Sequence, residues 1–181
     1  MLFKNLFGKE KRLFTGCGAV VAERCVTGSD DSAVKLKQAA MDLKDDVYER
    51  FKIELIHCRI YIAFHIFKYE LDIKNYANLD DKFENWWAGF QLWLSKNWTK
   101  PIYEVMQKIE TYSRIFSLKG SRYSELVLDD SILDDLLINS GIKTSELSHF
   151  DTTDLKKIFI EDCIEHQSYI DTMAFFVCLY A

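Results

Sequence analysis

Ile53-Glu54-Leu55-Ile56-His57-Cys58-Arg59-Ile60-Tyr61-Ile62-Ala63-Phe64-His65-Ile66-Phe67 is the stretch that decides the fold. Apolar residues occupy nearly every side of its helical projection, which predicts a helix enclosed by others rather than one lying on a surface. Upstream, Ala33, Leu36, Ala40, Leu43, Val47, Phe51, Leu55, Cys58 and Ile62 recur at intervals of three or four residues, the helical period. No Gly or Pro occurs from Ser29 to Ala88, so the main interior helix breakers are missing. The pattern starts at Ser29-Asp30-Asp31-Ser32, which offers N-cap oxygens and negative charge. It runs to about Leu71 as one helix or two, and Asp45-Asp46 is the expected joint.

Downstream, Asn75 to Asp81 reads as a loop, and Asp81 with Glu84 resembles a capping box. The helix that follows extends to about Trp98. Pro101, the one proline, opens the next, where its missing N–H costs least. That helix runs to Leu118 and is closed by Lys119-Gly120. A short helix is expected over Ser131 to Asn139, ending at Gly141, and Thr153-Asp154 caps a last one reaching nearly to Ala181. Residues 1–31 are different: four of the seven glycines lie within the first 28 residues. They read as an irregular or partly extended segment preceding a helical domain over residues 32–181. The predicted architecture is all-α, a single-domain bundle of about five or six helices with an irregular N-terminal segment.

With 181 residues, 49% hydrophobic and 28% charged, the chain has the composition of one globular domain and not of a disordered one. Lys and Arg number 23 against 28 Asp and Glu, a formal net charge of −5. This charge opposes binding to a phosphate backbone and would steer a basic partner inward. Cys17, Cys25, Cys58, Cys163 and Cys178 form no CxxC pair, so reduced thiols in a cytoplasmic protein are expected. No apolar run is long enough for a membrane span.

Three constellations bear on chemistry. Glu54-Leu55-Ile56-His57 and Glu146-Leu147-Ser148-His149 share the Glu-x-x-His spacing of di-metal carboxylate bundles, which would make the protein an oxidoreductase. Glu84, Glu104 and Glu110 are the candidates for the further ligands. The second motif falls between Gly141 and Asp151, outside any long helix, so no metal or cofactor is favoured. Leu136, Ser140, Gly141, Ile142, Leu147 and Phe150 approximate helix-turn-helix spacing. The would-be recognition helix, Thr144 to Asp151, has no Arg or Lys to read bases, and with the acidic balance this disfavours DNA binding. No Gly-x-Ser-x-Gly elbow or phosphate-cradling loop is present. His57 and Cys58, being adjacent on a helix, diverge by about 100° and do not pair as base and nucleophile.

Trp86, Trp87, Phe90, Trp93 and Trp98 place all four tryptophans within thirteen residues. Trp86, Phe90 and Trp93 share one helical face, with Trp87 and Trp98 on the next. Such a face is a bulky core helix or a surface that anchors another protein or a second copy of the chain. The expected function is that of a non-enzymatic protein-binding protein, of inhibitor, immunity or adaptor type. It would act through this aromatic helix and an acidic exterior.

Overall fold

The computed structural model describes residues 2–39, 44–73, 78–118, 131–143 and 153–180. In chain order its helices are α1 (Leu2–Ala39), α2 (Asp45–Ile73), α3 (Leu79–Asn97), α4 (Ile102–Leu118), α5 (Ser131–Asn139) and α6 (Thr153–Tyr180). No strand occurs among the described residues, and the fold is the all-α bundle the periodicity predicted. The run that opened the sequence forms the middle of α2, which touches each of the other five helices. Every residue from Glu54 to Ala63 is buried. A stretch of that length covers all sides of a helix, so α2 is the axis around which the bundle is built.

The joints follow local chemistry. α1 and α2 separate just before Asp45-Asp46, the Lys44 carbonyl accepts from Tyr48 N–H at 2.9 Å, and both aspartates sit in the first turn of α2. There their charge complements the positive end of the helix. Asn78 precedes α3 in a left-handed conformation (φ 60°, ψ 46°) that asparagine tolerates better than most residues. The Pro101 carbonyl accepts the first bonds of α4. α5 ends as predicted: Gly141 has φ 97°, its N–H donates to Ile138 O at 2.9 Å, and Ile142 N–H donates to Leu137 O at 3.1 Å. This is a Schellman cap, and the apolar contact that accompanies it is available from Leu137 and Ile142, both buried.

The N-terminal segment departs from expectation. Leu2 to Ala39 is helical throughout, not irregular or extended. Phe14, Cys17, Val21 and Cys25, spaced by three and four, are all buried, and this stripe outweighs the roughly 0.5–1 kcal/mol that each interior glycine costs a helix. Two glycines serve packing instead of chain reversal. A Cβ on Gly18 would collide with the Trp86 carbonyl, and one on Gly89 with the Thr15 carbonyl. α1 and α3 therefore cross with their backbones in contact. α6 lies antiparallel to α1, since Arg24 meets Glu165 and Cys17 approaches Cys178.

Candidate interaction surface

Polar side chains within the core are consumed by one another. Arg59, on α2, donates from Nε to Asp162 Oδ2 of α6 at 2.8 Å and from Nη2 to Oδ1, a bidentate pair with both partners buried. The Arg59 carbonyl lies 3.1 Å from His166 Nε2. Because a carbonyl only accepts, Nε2 carries the proton. The Cys25 thiol lies 3.6 Å from the same nitrogen. Burial, reinforced by the Arg59 guanidinium, pushes the His166 pKa down to about 3, so the ring is neutral. Burial pushes the Cys17 thiol up to about 12 and raises Cys25 further. Cys163 is raised by its hydrogen bond with Cys58 and by burial. Thiols so protonated are poor nucleophiles.

A second polar cluster joins α2 to α4. Glu54 accepts from Lys108 Nζ at 2.6 Å and from the Tyr112 hydroxyl at 2.9 Å, and burial raises the Tyr112 pKa well above its ordinary value. His57 Nδ1 is 4.0 Å from Glu54, beyond hydrogen-bond range, and neither ring nitrogen has a hydrogen-bond partner among the described residues. Its ring meets Trp98 edge-on at 5.3 Å. Burial, then Lys108 and Lys100, push its pKa down to about 3.

The Glu-x-x-His motif of α2 thus has its carboxylate held by an ammonium and a phenol. Glu146 and His149, with Leu147 and Phe150 of the helix-turn-helix pattern, lie outside the described residues. Glu84 is exposed, Glu104 is half-buried, and Glu110 pairs with Arg114. Among the described residues no group of three or more His, Cys, Asp or Glu is placed to hold a metal. Leu136, Ser140 and Ile142 are buried where α5 packs on α2, which accounts for their spacing structurally.

The tryptophan face of α3 turns inward. Trp86 and Phe90 are completely buried, and Trp86 stacks on Phe67 at 4.4 Å. Both belong to the core, the first of the two readings that the sequence left open for this face. Trp87, Trp93 and Trp98 are half-buried against the same core, Trp87 meeting Phe64 edge-on at 5.2 Å. Helical period shows which residues share a face but not which way the face points.

Among the described residues, exposed rings lie beside one another at the end of α6. Its inner face, Leu155, Phe159, Asp162, Cys163, His166, Ile170, Ala174 and Val177, is buried. Its last turns also carry Phe175 (51% exposed), Phe176 (48%), Leu179 (60%) and Tyr180 (65%). Phe176 stacks on Tyr180 at 6.5 Å and meets Phe175 at 6.1 Å, so the rings are contiguous. At about 200 Å² per large side chain, half-exposed, they present on the order of 400 Å² of apolar surface. That is the size of patch that is often functional on a monomer. Other large exposed apolar residues among the described ones include Val20 on α1, Leu92 on α3, Tyr103 and Met106 on α4, and Ile164 on α6. No family model, characterised protein or solved structure matches this chain. The sequence reading passed over this patch. Its signal was present: from Ile170 to Tyr180 apolar residues surround the helix, although a helix at the edge of a bundle buries only one side.

Proposed function

We propose that the protein binds another protein, as inhibitors and adaptors do, and that the solvent face of α6 is its contact surface. The observation that carries the reading is the contiguous exposure of Phe175, Phe176, Leu179 and Tyr180 at the end of a helix whose opposite face is fully packed. Large aromatic side chains in such patches dominate binding energy. The inward-turned polar groups support the same reading, because Arg59, Asp162, His166, Glu54 and Tyr112 serve one another in the interior. The five free cysteines favour a reducing compartment, for which we propose the cytoplasm. No helix among the described residues is long and apolar enough to cross a membrane.

Capture from a native lysate by the wild-type chain and by Phe175→Ser/Leu179→Ser tests the assignment. Both substitutions fall on the exposed side of α6 and leave its buried face intact. The wild type should retain, in stoichiometric amount, a protein that the double variant loses. Retention of the same proteins by both chains would refute it.

A further inference from the structure

We infer that Cys58 of α2 and Cys163 of α6 are a redox-sensitive pair, which a peroxide joins in a disulfide that ties α6 to the axis of the bundle. The inference is independent of what the outer face of α6 contacts. Both thiols are free and buried (0% and 1% exposed), and their side chains are hydrogen-bonded to each other across the helix pair. Neighbouring residues fix that register. Arg59, next to Cys58, holds Asp162, next to Cys163, in the bidentate pair, and the Arg59 carbonyl meets His166 one turn further along α6. Sulfurs kept in contact by two packed helices need only side-chain rotation and a slight closing of the helices to reach a disulfide of about 2.05 Å. The remaining α1 thiols are placed differently: Cys25 faces His166 Nε2 at 3.6 Å, and Cys17 approaches Cys178 near the end of α6.

Burial decides when the reaction runs. While α6 is packed, the pair is shut off from a dissolved oxidant and its thiols stay protonated, the unreactive form. When α6 lifts from α2, both sulfurs meet water and ionise as ordinary thiols do. The thiolate of one attacks the peroxide. Its S–O bond forms as the O–O bond breaks, giving a sulfenic acid and a hydroxide that takes up the proton the thiol released. On reclosure the second sulfur attacks the sulfenic sulfur: the S–S bond forms, the S–O bond breaks, and hydroxide leaves with the second thiol proton as water. The two sulfurs give up two electrons, and the peroxide ends as two waters. The bridge closes a loop of about a hundred residues, which removes much of the entropy of the unfolded chain. An oxidant thus turns a helix that opens into one that is fastened, and a thiol reductant releases it.

The test treats the full chain with millimolar hydrogen peroxide, removes the oxidant with catalase, alkylates the free thiols in denaturant and digests without reductant. Mass spectrometry should find most of Cys58 and Cys163 in one linked peptide, which dithiothreitol abolishes. The Tm by circular dichroism should rise by about 5–10 °C on oxidation and return with dithiothreitol. Cys178→Ala, which removes the half-buried thiol, should behave as the wild type does. Cys58→Ala, with helicity unchanged, should give neither the linked peptide nor the rise in Tm. Cys58 and Cys163 that remain free thiols, become sulfinic or sulfonic acids, or join other cysteines would overturn the inference. A bridge that leaves Tm unmoved would overturn the fastening of α6. The map of the wild-type protein decides the pairing even where Cys58→Ala does not fold.

Discussion

Replacing Gly18 by alanine puts the α1–α3 crossing to a direct test. In an exposed helix this change stabilises by about 1 kcal/mol, because alanine is the better helix former. At Gly18 the new methyl would collide with the Trp86 carbonyl oxygen and lie 2.9 Å from the Phe90 nitrogen. Both atoms belong to the backbone of α3 and cannot rotate away as a side-chain tip would. Relieving the contact to an ordinary separation of about 3.5–4 Å moves one helix from the other by on the order of 1 Å or more. Phe14, Val21, Trp86 and Phe90 are buried around the crossing and would lose packing as it opened. Overpacking of this kind costs about 1–3 kcal/mol, enough to outweigh the propensity gain. We expect a net loss of up to about 2 kcal/mol, or a fall in Tm of up to about 4–8 °C for a chain of this size. Gly16→Ala is the internal control: the same helix, an exposed site, and nothing within 4 Å of the added methyl. It should raise Tm by about 2 °C, through propensity alone. Gly89→Ala should resemble Gly18→Ala, and the double variant should cost less than the sum, since the first substitution opens the space the second needs. Thermal unfolding followed by circular dichroism measures all four. A Gly18→Ala protein as stable as Gly16→Ala would show that the two backbones do not meet there.

Three further outcomes are expected. Asp162→Ala breaks the bidentate pair with the buried Arg59 guanidinium and should cost about 3–5 kcal/mol in urea unfolding; a variant within about 0.5 kcal/mol of wild type would count against the pair. His57 and His166 have folded pKa values near 3, below the ordinary 6.5, so the unfolded chain binds the extra protons. Their contribution is complete above pH 6.5 and is lost as pH falls toward 3, at up to about 1.4 kcal/mol per pH unit for each histidine. A urea midpoint that does not fall between about pH 7 and about pH 5 would contradict this. Native protein treated with a maleimide should be modified promptly at half-buried Cys178 alone, and at all five cysteines once unfolded. Prompt labelling of Cys25 would be inconsistent with its burial.

Much of the helical frame was legible because it depends on local signals. The all-round apolar run of α2 could only be enclosed, Asp45-Asp46 carried a helix-start signal, and Gly141 supplied the positive φ that ends α5. What failed depended on neighbours that sequence spacing does not name. Glycines in residues 1–31 look like breakers until Gly18 meets Trp86 and Gly89 meets Thr15. Trp86 and Phe175 have the same kind of periodic aromatic context, yet one faces Phe67 and the other faces solvent. The ion pair over Glu54 shows the same limit. Its spacing from His57 suggested a metal, but Lys108 and Tyr112, more than fifty residues away, determine what that carboxylate does.

The Arg59–Asp162 pair also has a consequence for how the chain assembles. Asp162 is 103 residues from Arg59, and Cys25 is 141 from His166. During synthesis Arg59, at the centre of α2, emerges more than a hundred residues before the Asp162 carboxylate that it holds in a bidentate pair. A collapsed intermediate without α6 lacks that pair, so enclosing the guanidinium is costlier than in the finished bundle. Closure and formation of the pair then occur together, which makes docking of α6 the committing event in folding. A nascent chain stalled before Asp162 should accordingly be digested by protease, and one extended through α6 should resist it.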